Sequence, residues 1–276
     1  MRAILKYPGS KWSIADWIIG YFPEHHTYLE PFFGSGAVLF NKERSDIETV
    51  NDLDGDVVNL FSWIRNDPEK LAYALYYTPY SRRVYEEAIR SEEEDSLNRA
   101  LQFCIRCNMG HGYRTNGHRV GWKVDVQGRE KAYAANDWRT LPERLIEAAE
   151  RLRGVQIEQM PAVELIRRHN FKDVLIYCDP PYLLETRGKK QYRYEMEREA
   201  HEELLSYLVE HKGPVLISGY ESELYNKALA GWKKVHKSVT AQGGLKREEV
   251  LWMNFEDKRF LQPSFFDLSV DIGCCE

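Results

Sequence analysis

Asp173-Val174-Leu175-Ile176-Tyr177-Cys178-Asp179-Pro180-Pro181-Tyr182 decides the reading of this chain. The apolar run Val174 to Cys178 has the length of a buried strand. The two prolines after it can neither continue a helix nor donate to a sheet ladder. Asp179 and Tyr182 are therefore expected on a stiff loop at the carboxyl end of a strand, where open α/β sheets bind ligands. Such a loop suits chemistry on the exocyclic amine of a flat base. That nitrogen is a poor nucleophile because its lone pair is delocalised into the ring. A carboxylate, Asp179, and a backbone carbonyl, Pro180, can each accept one of its N–H groups, which frees the lone pair to attack an electrophilic methyl. Tyr182 is expected to offer a face on which a flipped base stacks.

Working outward, a cofactor site has to precede this loop in the chain. His26 to Glu30 reads as a strand, Pro31-Phe32-Phe33-Gly34-Ser35-Gly36 as a glycine turn, and Ala37 to Phe40 as the start of a helix. Glycines there let backbone approach a ligand closely. Ile47 to Val50 reads as a second strand ending at Asn51-Asp52-Leu53-Asp54. An acid at that strand end is placed to hold ribose hydroxyls; Asp52 is the first choice and Asp54 the alternative, either of which can also cap a helix starting near Gly55. Earlier still, Lys6-Tyr7-Pro8-Gly9-Ser10-Lys11 is a turn into an amphipathic helix, with Lys11 available as countercharge to a carboxylate. It is not a phosphate-binding loop, since no Gly-x-x-x-x-Gly-Lys-Ser/Thr pattern occurs.

Between Val57 and Arg153 the pattern is mainly helical. Residues 98–139 carry eight basic side chains against three acidic ones. The stretch 108–123 is rich in glycine, polar and aromatic residues, and Asn116-Gly117 is a hairpin signal. Arg114, Asn116, Arg119 and Lys123 are candidates for contact with base edges and phosphates. A second basic and aromatic set follows the Pro-Pro loop: Arg187, Lys189, Lys190, Tyr192 and Arg193. Further strands are expected at 155–158, 214–218, 232–239 and 249–255. The segment 242–247 is a glycine-rich basic connection.

Composition bounds the answer. The chain has 276 residues and a net charge of −5, which neither demands nor forbids a nucleic-acid partner, because binding needs only a local basic face. No apolar run is long enough for a membrane span, and Lys6 and Pro8-Gly9 interrupt any signal-peptide pattern. Five cysteines, odd in number and unpatterned, fit a reducing cytoplasm. Cys104 and Cys107 lack a second pair to complete a zinc site and read as buried helix residues, so no metal is expected.

Taken together, Lys6 to Lys11, Glu30 to Gly36, Asn51-Asp52-Leu53, Asp179 to Tyr182, Leu216-Ile217-Ser218-Gly219-Tyr220 and Lys246 to Leu251 resemble the Dam-like DNA adenine methyltransferases. The order is cofactor motif, target-recognition insertion, catalytic motif. The resemblance implies an α/β, Rossmann-like class I methyltransferase: a mixed seven-stranded sheet with its last strand antiparallel and a mainly helical target-recognition insertion. It implies S-adenosylmethionine as donor and double-stranded DNA as substrate. Its site residues would be Tyr7, Lys11, Glu30, Phe32, Gly34, Gly36, Asp52 and Asp179 at the donor, and Asp179, Pro180 and Tyr182 at the reacting amine. The catalytic domain would comprise residues 1–56 and 154–256, the insertion 57–153, and a tail 257–276. The hairpin differs from that of GATC-specific members, so the target sequence is not inherited. An RNA adenine methyltransferase and a binding module with a degenerate cofactor pocket are the rival expectations; intact Asp52 and Asp179 argue against the second. In the tail, Gln262-Pro263-Ser264-Phe265-Phe266 resembles peptides that dock on bacterial replication sliding clamps, giving a candidate partner segment at 262–268. The competing reading packs its phenylalanines against the sheet.

Overall fold

The computed structural model describes residues 1–91, 93–124, 134–187, 189–240 and 246–256. Its centre is a seven-stranded sheet in the order β3-β2-β1-β4-β5-β7-β6. β1 (Thr27–Glu30), β2 (Ile47–Asn51), β3 (Gln156–Glu158), β4 (Val174–Cys178) and β5 (Val215–Gly219) are mutually parallel. β7 (Lys246–Met253) runs antiparallel to β5 on one side and to β6 (Lys233–Thr240) on the other. The expected mixed sheet with an antiparallel last strand is thus present. Strand order reverses between β1 and β4, which opens a crevice at their carboxyl ends.

Register then aligns the chemistry. Leu29 pairs with Ile176, Cys178 with Ile217, and Gly219 with Val250. Glu30, Asp179, Ser218 and Glu249 consequently sit at the same end of four adjacent strands. The strands are apolar on both faces because both are covered. In β4, Leu175 and Tyr177 join one core, while Val174, Ile176 and Cys178 join the other.

Short α1 (Ala15–Ile19) precedes β1. Between β2 and β3 come α2 (Gly55–Asn66), α3 (Pro68–Tyr76), α4 (Arg82–Arg90), α5 (Ser96–Met109), α6 (Ala134–Arg139) and α7 (Leu141–Leu152). They pack into one core with the sheet through residues such as Phe61, Phe103 and Leu145. Local signals start them: Asp54 caps α2 by accepting from Asp56 N, Asp67 caps α3 ahead of Pro68, and Asp95 caps α5. α8 (Ala162–Arg168), α9 (Leu184–Arg187), α10 (Arg198–Val209) and α11 (Glu223–Ala228) are the remaining helices among the described residues. Cys104 and Cys107 are buried in α5. Among the described residues, no helix is long and apolar enough to cross a membrane.

Two expectations are corrected. No helix follows the glycine turn: residues 37–41 form only consecutive turns. Gly34 and Gly36 both take positive φ, 49° and 68°, and the chain folds back so that Phe40 packs on Phe33 and Phe61. The Asn116-Gly117 pair is not a two-residue primed turn, since only Gly117 has positive φ. The loop is instead closed at its base, where Gly110 bridges Trp122 and Lys123 N donates to Met109 O at 2.7 Å. The connection 241–245 and the tail 257–276, with its clamp-like segment, lie outside the described residues.

Candidate active site

A cavity of about 130 Å³ occupies the crevice at the carboxyl ends of β1 and β4. The first turn of the chain, the glycine turn, the end of β2, the Pro-Pro loop and residues 192–196 line it. Tyr7, Lys11, Glu30, Phe32, Gly34, Asp52 and Asp179, all expected at the donor, converge there.

Asp52 and Asp179 mark two sides of this space. Asp52 directly follows β2, and its two oxygens accept Gly34 N at 2.8 Å and Asp54 N at 2.9 Å. Burial pushes its carboxyl up to about 6, with the backbone amides of Asp54, Gly34 and Leu53 opposing that rise. The alternative acid, Asp54, is buried as the α2 cap and pairs with Arg193 at 2.7 Å. Its Oδ2 nevertheless reaches no hydrogen-bond partner. The Tyr7 ring lies over Gly34, where a Cβ would come within 3.2 Å of it and φ is left-handed, so a side chain at Gly34 would push this ring from the cavity.

Asp179 is held from behind. Its Oδ1 accepts from Ser218 Oγ at 2.7 Å and pairs with Lys11 Nζ at 2.8 Å. Among the described residues its Oδ2 has no partner, and neither has the Pro180 carbonyl. Lys11 also faces Glu249 at 3.5 Å. Burial alone would lower the Lys11 ammonium, but Asp179 and Glu249 outweigh it and hold it charged. Burial raises Glu249, which accepts from the Tyr182 hydroxyl. Glu30 is pushed by burial to about 8, with Asp179 adding to the rise and the Tyr28 hydroxyl, 2.8 Å away, opposing it. At neutral pH the sheet end therefore carries a protonated Glu30 beside the Lys11–Asp179 ion pair.

Several assignments change. Gly36 does not line the cavity; a Cβ there would meet Phe40 and Phe33 within 2.7 Å, so it serves packing. Tyr182 is 9% exposed, with Lys11 over its ring and Tyr220 edge-on at 4.8 Å. It braces the ion pair and offers no open platform for a base. Arg187 is turned inward, pairing with Glu195 and donating from Nε to Tyr182 O at 2.6 Å. Arg193 is spent on Asp54 and Asp56, at 2.7 and 2.8 Å. Tyr192 walls the cavity, its hydroxyl donating to Pro8 O at 3.3 Å. Asn116 donates to Lys190 O at 3.0 Å, so its side chain ties two loops together. Arg187 and Arg193 differ from expectation because their charges find acids once the chain is folded. Lys189, Lys190 and Arg119 remain exposed, and Arg114 and Lys123 are half-buried.

Ser218 and Glu249 were not among the expected site residues. Their signal was an acid and a hydroxyl inside apolar strands, Leu216-Ile217-Ser218 and Glu249-Val250-Leu251. Polar groups at buried strand positions demand partners.

A sheet of this order with a carboxylate-lined cavity at its switch point is the frame of a class I methyltransferase. Residues 7–242 match the D12 class N6 adenine-specific DNA methyltransferase family, and the chain belongs to it. It is 28% identical over 266 residues to the DNA adenine methylase of Escherichia coli (strain K12), covering 90% of this chain and 92% of that protein. The DNA adenine methylase of Salmonella typhi is 27% identical over the same coverage. Among solved structures, a precorrin 8W decarboxylase from Methanobacterium thermoautotrophicum has a TM-score of 0.40 at 8% identity, over 91% of this chain and 94% of that one. S-adenosylmethionine is the methyl donor of the family, and this chain methylates adenine in DNA.

The cavity suits that donor. Asp52 can take ribose hydroxyls, and the orphaned Asp54 Oδ2 calls for a hydrogen from a ligand. When bound, the donor supplies an electrophilic sulfonium methyl.

Proposed function

We propose that this protein methylates N6 of an adenine flipped out of a specific sequence in duplex DNA, with Asp179 and Pro180 as the groups that act on the amine. The observation that carries the reading is the asymmetric binding of Asp179, a residue of the cavity lining: Oδ1 is clamped by Lys11 and Ser218, while Oδ2 has no partner among the described residues. Oδ2 would accept one N–H of the adenine amine and the Pro180 carbonyl the other. Two acceptors on one nitrogen draw it toward tetrahedral geometry and localise its lone pair. Lys11 pairs with Asp179 and fixes its rotamer, and Tyr182 and Glu249 fix Lys11.

Tyr7 and Asp52 would hold the donor, with Phe32 and Gly34 shaping its wall. Arg119, Arg114, Lys123, Lys189 and Lys190 would meet the DNA. An exposed basic loop on a rigid base supports duplex readout in a groove. Labelled-methyl transfer to duplex DNA, single-stranded DNA and RNA tests the substrate; preference for RNA would overturn the duplex reading.

The tail carries a separate reading. Gln262 to Phe266 would tether the enzyme to a replication sliding clamp in the cytoplasm, raising its local concentration on new DNA. Deleting 260–276 should abolish binding to a purified clamp. If the full-length protein shows no clamp binding and the deletion lowers the melting temperature, the tail is structural.

A further inference from the structure

Thr115 stands on the basic loop between Gly110 and Trp122, yet it is only 3% exposed. Backbone and side chain are both bonded to the second basic loop. Its N–H donates to Gln191 O at 2.9 Å, and its Oγ1 accepts from Arg193 N at 2.9 Å. Asn116 adds its bond to Lys190 O beside them.

The partner loop is also a wall of the donor cavity, held at several points. Glu195 accepts from Gln191 N at 2.6 Å and Tyr192 N at 2.9 Å, and pairs with Arg187. Arg187 in turn holds the Tyr182 carbonyl, at the end of the catalytic loop. Arg193 bridges to Asp54 and Asp56 at the start of α2.

A second cavity of about 540 Å³ lies under the hairpin, lined by Arg99, Arg106, Arg114 and Arg119 among others. Thr115 and Arg193 line both cavities. The partition between the donor site and the basic face is thus one hydrogen-bonded clasp. A hairpin shifted by DNA must carry residues 191–193 with it or break that clasp.

We infer that Thr115 is a positioning residue through which the recognition hairpin sets the wall of the donor cavity, so that DNA and donor strengthen each other's binding. This rests on the donor and DNA sites proposed above. Coupling between two sites is reciprocal and commonly about 5- to 150-fold. A single hydrogen bond is worth about fivefold. Thr115→Val keeps the bulk of the side chain but cannot accept the Arg193 N–H. Thr115→Ser keeps the acceptor.

The test is titration of the full-length protein with S-adenosylhomocysteine, which cannot transfer a methyl, with and without a duplex carrying its mapped site. The ratio of the two affinities is the readout. Wild type should show a ratio of at least about fivefold, Thr115→Ser should stay within about twofold of it, and Thr115→Val should fall toward one. A merely structural role would lower the melting temperature and both affinities together, leaving the ratio intact. A wild-type ratio of one, or an unchanged ratio in the valine variant, overturns the inference while leaving the site assignment standing. Failure of wild type to bind S-adenosylhomocysteine would sink the site reading and this inference with it. If Thr115→Val does not fold, Asn116→Ala cuts the same clasp from the exposed side, and an unchanged ratio there also overturns it.

Discussion

Replacing Asp179 with alanine should separate catalysis from folding. The side chain contributes two things: an unpartnered Oδ2 at the cavity, and an Oδ1 held by Lys11 at 2.8 Å and Ser218 at 2.7 Å. Loss of the first would remove the acceptor proposed for the reacting nitrogen. Removing one such group costs about 10²–10³ in rate, and here the anchoring ion pair goes with it, so a loss of about 10³-fold is expected, or about 4 kcal/mol of barrier. Loss of the second leaves Lys11 with Glu249 at 3.5 Å, so the cation is not stranded. Stability should then fall by only about 1–3 kcal/mol. The assay is labelled-methyl transfer at saturating donor and DNA, with donor titration and thermal melting on the same preparation. Retained donor binding with transfer down about 10³-fold is the expected result. Activity within about tenfold of wild type would refute the assignment, because the other cavity acid with one clamped and one unpartnered oxygen, Asp54, is committed to the α2 cap and to Arg193.

Asp52→Ala should weaken donor binding about 10- to 150-fold, from charge-assisted bonds worth about 1.5–3 kcal/mol, while Asp54→Ala should chiefly destabilise α2; the reverse pattern in a calorimetric titration would exchange their roles. Arg119→Ala should relax sequence preference, costing about 1–3 kcal/mol of discrimination at one position, and maps of methylated adenines that fall equally at all sequences would reassign it to phosphate contact. Glu30 titrates at about 8 when folded against an ordinary 4.5, so the folded state holds a proton that the unfolded chain releases between those values. Its contribution is full below the unfolded value and is lost as pH rises through about 8, so stability should drop by about 2–3 kcal/mol between pH 6 and 9. Glu30→Gln should flatten that drop, and parallel melting curves for variant and wild type would contradict the buried, protonated carboxyl.

Local physics made much of this chain legible before folding. The apolar run of β4, the prolines behind it and the acid at the end of β2 are each short-range signals. Strand lengths, helix caps and the glycine turn follow from a few adjacent residues, and most strands fall where their patterns put them. Failures came where a side chain's partner is not an immediate neighbour in sequence. Arg187 and Arg193 have the composition of a DNA-contacting loop, yet Glu195, Asp54 and Asp56 neutralise them, and two of those three acids lie more than a hundred residues away. Tyr182 reads as an exposed ring until β7 brings Glu249 to its hydroxyl. The helix expected after Gly36 is lost because the glycine turn lets Phe40 collapse onto Phe33 and Phe61. The sequence by itself determined which residues can do the chemistry. Only the tertiary structure decided which charges stay free to meet a ligand, because neutralising a charge depends on distances that strand order and register set.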